Sequence, residues 1–273
     1  MQTRVVVLVA ALMSVASGAP GAVAAEFGQN PAGPAASSIL QSACDQLTFI
    51  TSKYRTEQPQ ALVSGDWDKN GTIDIAQADA YPGPSTPVQM LLNDGSGNFT
   101  FRTSCPYPFS SVNFDLVAGD FDNDDTLDVI LPNFGSAFPA PNAVRVMKGT
   151  SRGGCIFQYT GFVFGTGTDG PRAITAGDFN ADGLLDVAVV GLTSNTAGVL
   201  INTGSTMSSP INFGAPINFA AGSAPRDIVT GDFNGDSKLD LAVAASGEDS
   251  VKVFLGVGDG TFTPTFSVAV GDS

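Results

Sequence analysis

Apolar residues alternate over short stretches in the second half of the chain. Leu185, Val187 and Val189 stand at every second position, as do Leu239, Leu241 and Val243, with the small Ala188 and Ala242 set among them. Runs this short and this rich in β-formers predict buried strands. Residues 172–175 and 227–230 also predict strands, so the polar stretch that follows each of them joins two strands. Further on, 91–99 and 254–262 read as β runs interrupted by Asp94-Gly95 and Asp259-Gly260, a strong hairpin pattern. The middle of the chain varies this theme with Lys148-Gly149 and Asn202-Thr203-Gly204. An aromatic closes each hairpin: Phe99, Phe157, Phe213 and Phe262.

The polar stretch recurs four times. It begins at Gly65-Asp66-Trp67-Asp68, Gly119-Asp120-Phe121-Asp122, Gly177-Asp178-Phe179-Asn180 and Gly231-Asp232-Phe233-Asn234. The leading aspartates are spaced by 54, 58 and 54 residues. A regular period of this kind marks a repeat architecture. One plan fits every copy: strand, polar loop, strand, variable loop, strand, Gly-rich hairpin, strand. The second set of aromatics, Trp67, Phe121, Phe179 and Phe233, directly follows the leading aspartates. Both aromatic sets are expected to pack between neighbouring repeats rather than to line a ligand box.

Numbered from the leading aspartate, the loops span 66–74, 120–128, 178–186 and 232–240. Position 1 is Asp66, Asp120, Asp178 and Asp232. Position 3 is Asp68, Asp122, Asn180 and Asn234. Position 5 is Asn70, Asp124, Asp182 and Asp236, and position 9 is Asp74, Asp128, Asp186 and Asp240. All are oxygen donors. With a main-chain carbonyl from position 7 (Thr72, Thr126, Leu184, Lys238), they describe a cage for a hard cation, Ca²⁺ before Mg²⁺. Zinc and copper are disfavoured for want of imidazole or thiolate. Position 6 calls for a left-handed residue, which suits Gly71 and Gly183; Asp125 is tolerable and Ser237 less so. Asp125 adds a carboxylate that either raises affinity or faces water.

Two competing readings are weaker. An EF-hand loop starts alike but needs a bidentate Glu at position 12, where this chain has Gln77, Leu131, Val189 and Val243. Ordinary turns are also rich in Asp, Asn and Gly, yet four copies in one register argue against coincidence. Clustered carboxylates also repel and raise one another's pKa, so four such clusters without a cation would strain the fold.

The Gly-Asp-Phe-Asn-x-Asp-x-x-x-Asp pattern resembles the FG-GAP or VCBS repeat family, relatives of the integrin α-chain propeller, over about residues 40–273. The resemblance implies an all-β propeller of four-stranded blades, with about four blades present and up to four Ca²⁺ bound. Such propellers more often close with seven blades. The 266–271 stretch parallels 218–222, which places a fifth loop near position 281; the expectation is a longer protein of which this is part. The resemblance also implies binding to an extracellular glycan or protein through the variable loops. Two alternatives stay open: the accessory scaffold of a secreted polysaccharide-active enzyme, and a purely structural surface-protein module.

Composition narrows these choices. The chain carries 26 acidic and 12 basic residues, a formal charge of −14. Fourteen of the acids lie in the four loops, and four Ca²⁺ would bring the charge to about −6. Binding to nucleic acid, which needs basic surface, is not expected. Residues 1–25 have the charged start (Arg4), apolar core and small-residue end (Ala22-Val23-Ala24) of a secretory signal peptide. An uncleaved anchor is the alternative, but the apolar run is short for a bilayer of roughly 30 Å. No membrane span is expected after cleavage, and the protein is expected to be secreted, extracellular or periplasmic. Residues 26–38 read as a Pro/Gly/Ala-rich linker, and 39–273 as the repeat region, opening with the strand-like 47–50.

Cys44, Cys105 and Cys155 allow one bridge and leave one thiol over, with the pairing open. Asn70-Gly71-Thr72 and Asn98-Phe99-Thr100 match glycosylation sequons, with no modification expected. The chain has no histidine, which removes Ser-His-Asp and Cys-His machinery. Glu57 and Glu248 read as solvated rather than catalytic. The expectation is a non-catalytic protein.

Overall fold

The structure is a computed structural model that describes residues 59–79, 88–103, 113–134, 142–150, 156–204 and 211–271. The proposed signal peptide, the linker, strand 47–50, Glu57 and all three cysteines lie outside the described residues.

Sixteen strands form four antiparallel sheets of four. The first holds β1 (Pro59–Gly65), β2 (Asp74–Asp79), β3 (Val88–Asn93) and β4 (Phe99–Thr103). The second holds β5 (Val117–Gly119), β6 (Asp128–Asn133), β7 (Ala143–Gly149) and β8 (Phe157–Gly165). The third holds β9 (Pro171–Gly177), β10 (Asp186–Gly191), β11 (Thr196–Leu200) and β12 (Ile217–Ala220). The fourth holds β13 (Pro225–Gly231), β14 (Asp240–Ala245), β15 (Ser250–Gly256) and β16 (Phe262–Ala269). Strands pair in chain order within every sheet. Among the described residues there is no helix, and hence none long and apolar enough to cross a membrane.

The alternation in the sequence becomes a division of labour between two faces. On β6, Val129 and Leu131 pack toward the first sheet while Ile130 packs toward the third. On β10, Val187 and Val189 join the core shared with the second sheet, and Ala188 and Val190 join the core shared with the fourth. Side chains on a strand point to opposite faces in turn, so a strand covered on both sides must be apolar throughout. This explains the unbroken apolar runs: three cores separate four stacked sheets.

Each junction repeats the same contacts. The closing aromatic of one repeat meets the leading aromatic of the repeat before it. Phe157 stands edge-on to Trp67 at 6.1 Å between ring centres, and Phe262 edge-on to Phe179 at 5.4 Å. Phe213 and Phe121 share the middle core. The position-8 leucines, Leu127, Leu185 and Leu239, lie over Gly65, Gly119 and Gly177 of the preceding sheet, where any Cβ would collide with them. Phe233 departs from the expected packing and is 50% exposed, because it lies on the outer face of the fourth sheet, with no further described sheet against it.

Between the second and third sheets, the Ile174 amide donates to Asp115 Oδ2 at 2.9 Å, and the Arg172 guanidinium lies 3.9 Å over the Phe114 ring. Asp115 is pushed up to about 6, chiefly by burial.

Candidate metal centre

All four loops span the same pair of residues. Gly65 pairs with Asp74, Gly119 with Asp128, Gly177 with Asp186 and Gly231 with Asp240. The glycine ends one strand and the position-9 aspartate begins the next, so the loop between them is the connection at one end of its sheet.

Within this frame, side chains hold the loop's own backbone. The position-1 carboxylate accepts from the amides of positions 5 and 6: Asn70 and Gly71 to Asp66, Asp124 and Asp125 to Asp120, Asp182 and Gly183 to Asp178, Asp236 and Ser237 to Asp232. The position-5 oxygen accepts from the position-7 amide in every loop, at 2.8–2.9 Å: Thr72 to Asn70, Thr126 to Asp124, Leu184 to Asp182, Lys238 to Asp236. Such Asx bonds curl the chain around the side-chain oxygens.

The curl needs two left-handed residues per loop, where the sequence reading expected one. Position 6 has positive φ at Gly71, Asp125, Gly183 and Ser237, and so does position 4 at Lys69, Asn123, Ala181 and Gly235. The fourth loop has its glycine at position 4 rather than position 6, and Ser237 takes the left-handed shape at position 6 with a φ of 68°. The Asn234-Gly235 step was the sequence's one trace of this second requirement. Asp125 is exposed and its amide caps Asp120, so its carboxylate faces water.

Position 9 is built differently. Asp74, Asp128, Asp186 and Asp240 are fully buried. One oxygen of each accepts from the position-2 amide, Trp67, Phe121, Phe179 or Phe233, at 2.9–3.0 Å. The other accepts from the start of the hairpin, Asn93, Gly149, Asn202 or Gly256, at 2.7–2.8 Å. This residue therefore clamps loop, strand and hairpin together. Burial raises Asp74 and pushes Asp128 up to about 7 and Asp186 to about 6, against the pull of these amide bonds. Neighbouring loop carboxylates push the same way, Asp68 and Asp66 on Asp74, and Asp182 and Asp178 on Asp186. Each clamp oxygen spends one lone pair on its amide and keeps acceptor capacity.

The hairpin's part in the site was missed from sequence. In the first repeat the Asn93 carbonyl accepts from Asn70 Nδ2 at 2.9 Å and Thr72 Oγ1 at 2.6 Å. Asn93 and Asn202 also return a side-chain bond to the position-8 carbonyls of Ile73 and Leu185. In the second repeat the Lys148 ammonium pairs with Asp122, and with Asp124 at 2.6 Å.

Oxygens of Asp66, Asp68 and Asp74 lie within 4.8 Å of one another, as do oxygens of Asp120, Asp122 and Asp124. These two acidic clusters could hold a metal ion. The third and fourth loops have Asn180 and Asn234 at position 3, so two of their donors at positions 1, 3 and 5 are carboxylates and one is an amide oxygen. A set of oxygen donors alone, carrying several negative charges, fits a hard divalent cation. The sequon asparagines are engaged locally, Asn70 as described and Asn98 by donating to Asp94 at 2.9 Å. Glu248 is held rather than merely solvated: it accepts from the Ser223 amide at 2.7 Å and pairs with Lys252 at 2.6 Å.

A family model described as an FG-GAP-like repeat matches residues 66–131, 178–243 and 232–273. Two of these segments run from one leading aspartate to position 12 of the next loop. Among solved structures, the chain is similar to a functionally unknown protein from Desulfotomaculum acetoxidans DSM 771, at 19% identity and a TM-score of 0.50, over 77% of this chain and 55% of that one. It also aligns with the V. cholerae biofilm matrix protein Bap1, at 18% identity and a TM-score of 0.42, over 78% of this chain and 28% of that one. The chain thus spans about half the length of the first and under a third of the second. At such identity the first likeness concerns the fold alone. No curated protein matches the chain.

Proposed function

Because the chain belongs to the FG-GAP-like repeat family, we propose that it is an extracellular, calcium-binding β-propeller module that binds a ligand and does no chemistry of its own. Its four sheets are four blades, and each blade carries one calcium loop. The observation that carries this reading is the fourfold Gly–Asp pairing, which sets oxygen donors at the same end of every sheet.

Topology divides the module into two ends. The metal loops and the hairpins share one end of each sheet, since the hairpin amide reaches the position-9 carboxylate. The variable connections between second and third strands must then lie at the opposite end. There, turns 192–195 and 246–249 are tied to the linkers between sheets: Asn195 Oδ1 accepts from the Ala224 amide and Glu248 from Ser223, both at 2.7 Å. Calcium supports the scaffold at one end while the variable end meets a glycan or protein. The absence of histidine from the sequence supports binding over catalysis.

The test is to apply the chain to a glycan and surface-protein array with calcium and with chelator, and to incubate it with a polysaccharide panel. Calcium-dependent retention without release of product supports the reading. Product release, or no retention at all, would overturn it.

A further inference from the structure

The second loop already holds a cation of its own. Lys148 Nζ pairs with Asp122 Oδ2 and with Asp124 Oδ2, the latter at 2.6 Å, and these are the position-3 and position-5 groups of the cage. In the first, third and fourth loops the position-3 oxygen accepts instead from the position-5 amide: Asn70 to Asp68, Asp182 to Asn180, Asp236 to Asn234. Asp122 has turned away from that bond toward the lysine. Its side chain is 6% exposed, and its second oxygen, Oδ1, is buried without a hydrogen-bond donor. A carboxylate buried in this way is costly to leave unpaired, and the ammonium is the cation beside it. Among the described residues no other metal-loop carboxylate takes part in an ion pair.

The register makes the lysine specific to this repeat. Lys148 precedes Gly149, whose amide bonds the clamp residue Asp128. The residues in the same place elsewhere precede Asn93, Asn202 and Gly256, and they are Leu92, Ile201 and Leu255. Leu92 and Ile201 pack into the cores between sheets. Three repeats thus place an aliphatic side chain where the second places an ammonium.

We propose that Lys148 is the resident cation of the second loop, competing for the oxygens a divalent ion would need, so that this loop stays folded without metal and takes up Ca²⁺ far more weakly than the other three. The inference rests on the calcium reading of the loops. Both cations require Asp122 and Asp124, so the ammonium must leave before the metal can enter. The extra carboxylate at Asp125 is exposed and lies outside the cluster of Asp120, Asp122 and Asp124.

Calorimetric titration of the whole chain with CaCl₂ tests it. Lys148→Leu installs the residue type of the other repeats and is expected to add one ion per chain, or to tighten the weakest site at least about tenfold, as loss of a competing cation should. Lys148→Gln, which keeps a long polar side chain without the charge, is expected to do the same. It decides the matter even where Lys148→Leu fails to fold. A wild-type chain that binds calcium, with neither substitution altering the number or affinity of its sites, overturns this inference and leaves the proposed function standing. A chain that binds no calcium in any form overturns both.

Discussion

Leu239 occupies the space above Gly177: a Cβ on that glycine would lie 2.6 Å from Leu239 Cδ1. Leu185 over Gly119 and Leu127 over Gly65 repeat the relation. The glycine that opens each of the first three loops is thus also the socket for the next repeat, which couples the loops to the stacking of sheets. Gly177→Val should force the third and fourth sheets apart locally and lower stability by about 1–3 kcal/mol, as overpacking does. Urea unfolding measures this; an unchanged midpoint would show that the junction yields freely.

The clamp and cage residues should separate experimentally. Asp186→Ala removes the acceptor for two amides, Phe179 and Asn202. Each donor left unmet costs roughly 1–3 kcal/mol, and the loss should appear in excess chelator as well as in calcium. Asp68→Ala strikes an exposed cage group whose bonds from Asn70 are also exposed, so its effect should be larger in calcium-containing buffer than in chelator. Chemical denaturation of both variants in the two buffers reads the difference.

Asp115 makes stability depend on pH in a stated direction. Its carboxyl is raised from 3.8 to about 6 in the fold, so the folded state holds the proton more tightly than the unfolded chain. The associated stabilisation, on the order of 3 kcal/mol, is fully present below about pH 4 and lost as pH rises through about 6. Asp115→Asn carries no such dependence. The stability of the wild type relative to this variant should therefore fall between pH 4 and 6.5, measured by denaturant titration at fixed calcium. A constant difference would contradict it.

Much of the fold was legible because it is periodic. The loop pattern gave the repeat, the alternation gave the middle strands, and the paired aromatics gave the junctions. What was not legible depends on contacts distant in sequence. The clamp role of Asp74 and its equivalents arises from hairpin amides 16 to 21 residues away, and nothing local distinguishes it from ligation. Lys148 looked like a hairpin residue because its partners lie 24 and 26 residues earlier. Position 4 was hidden because Lys69, Asn123 and Ala181 adopt a backbone shape that glycine usually advertises.

That last point has its own test. Ala181 sits at a φ of 61°, a left-handed shape that costs a residue with a Cβ about 1–2 kcal/mol. Glycine removes this cost and returns part of it as chain entropy. Ala181→Gly should therefore stabilise by roughly 0.5–1 kcal/mol, read as a higher thermal midpoint. The same substitution at Ala188, in the buried strand β10, should destabilise.

The most direct measurement is a pair of thermal melts of the whole chain, one in millimolar Ca²⁺ and one in excess chelator. An ion at 100 times its dissociation constant stabilises the folded form by about 2.7 kcal/mol per site, and each kcal/mol moves the midpoint by about 2–4 °C for a chain of this size. Loops that close around calcium require a midpoint several degrees higher with the metal than without it. Coincident melts would contradict calcium capture by these loops.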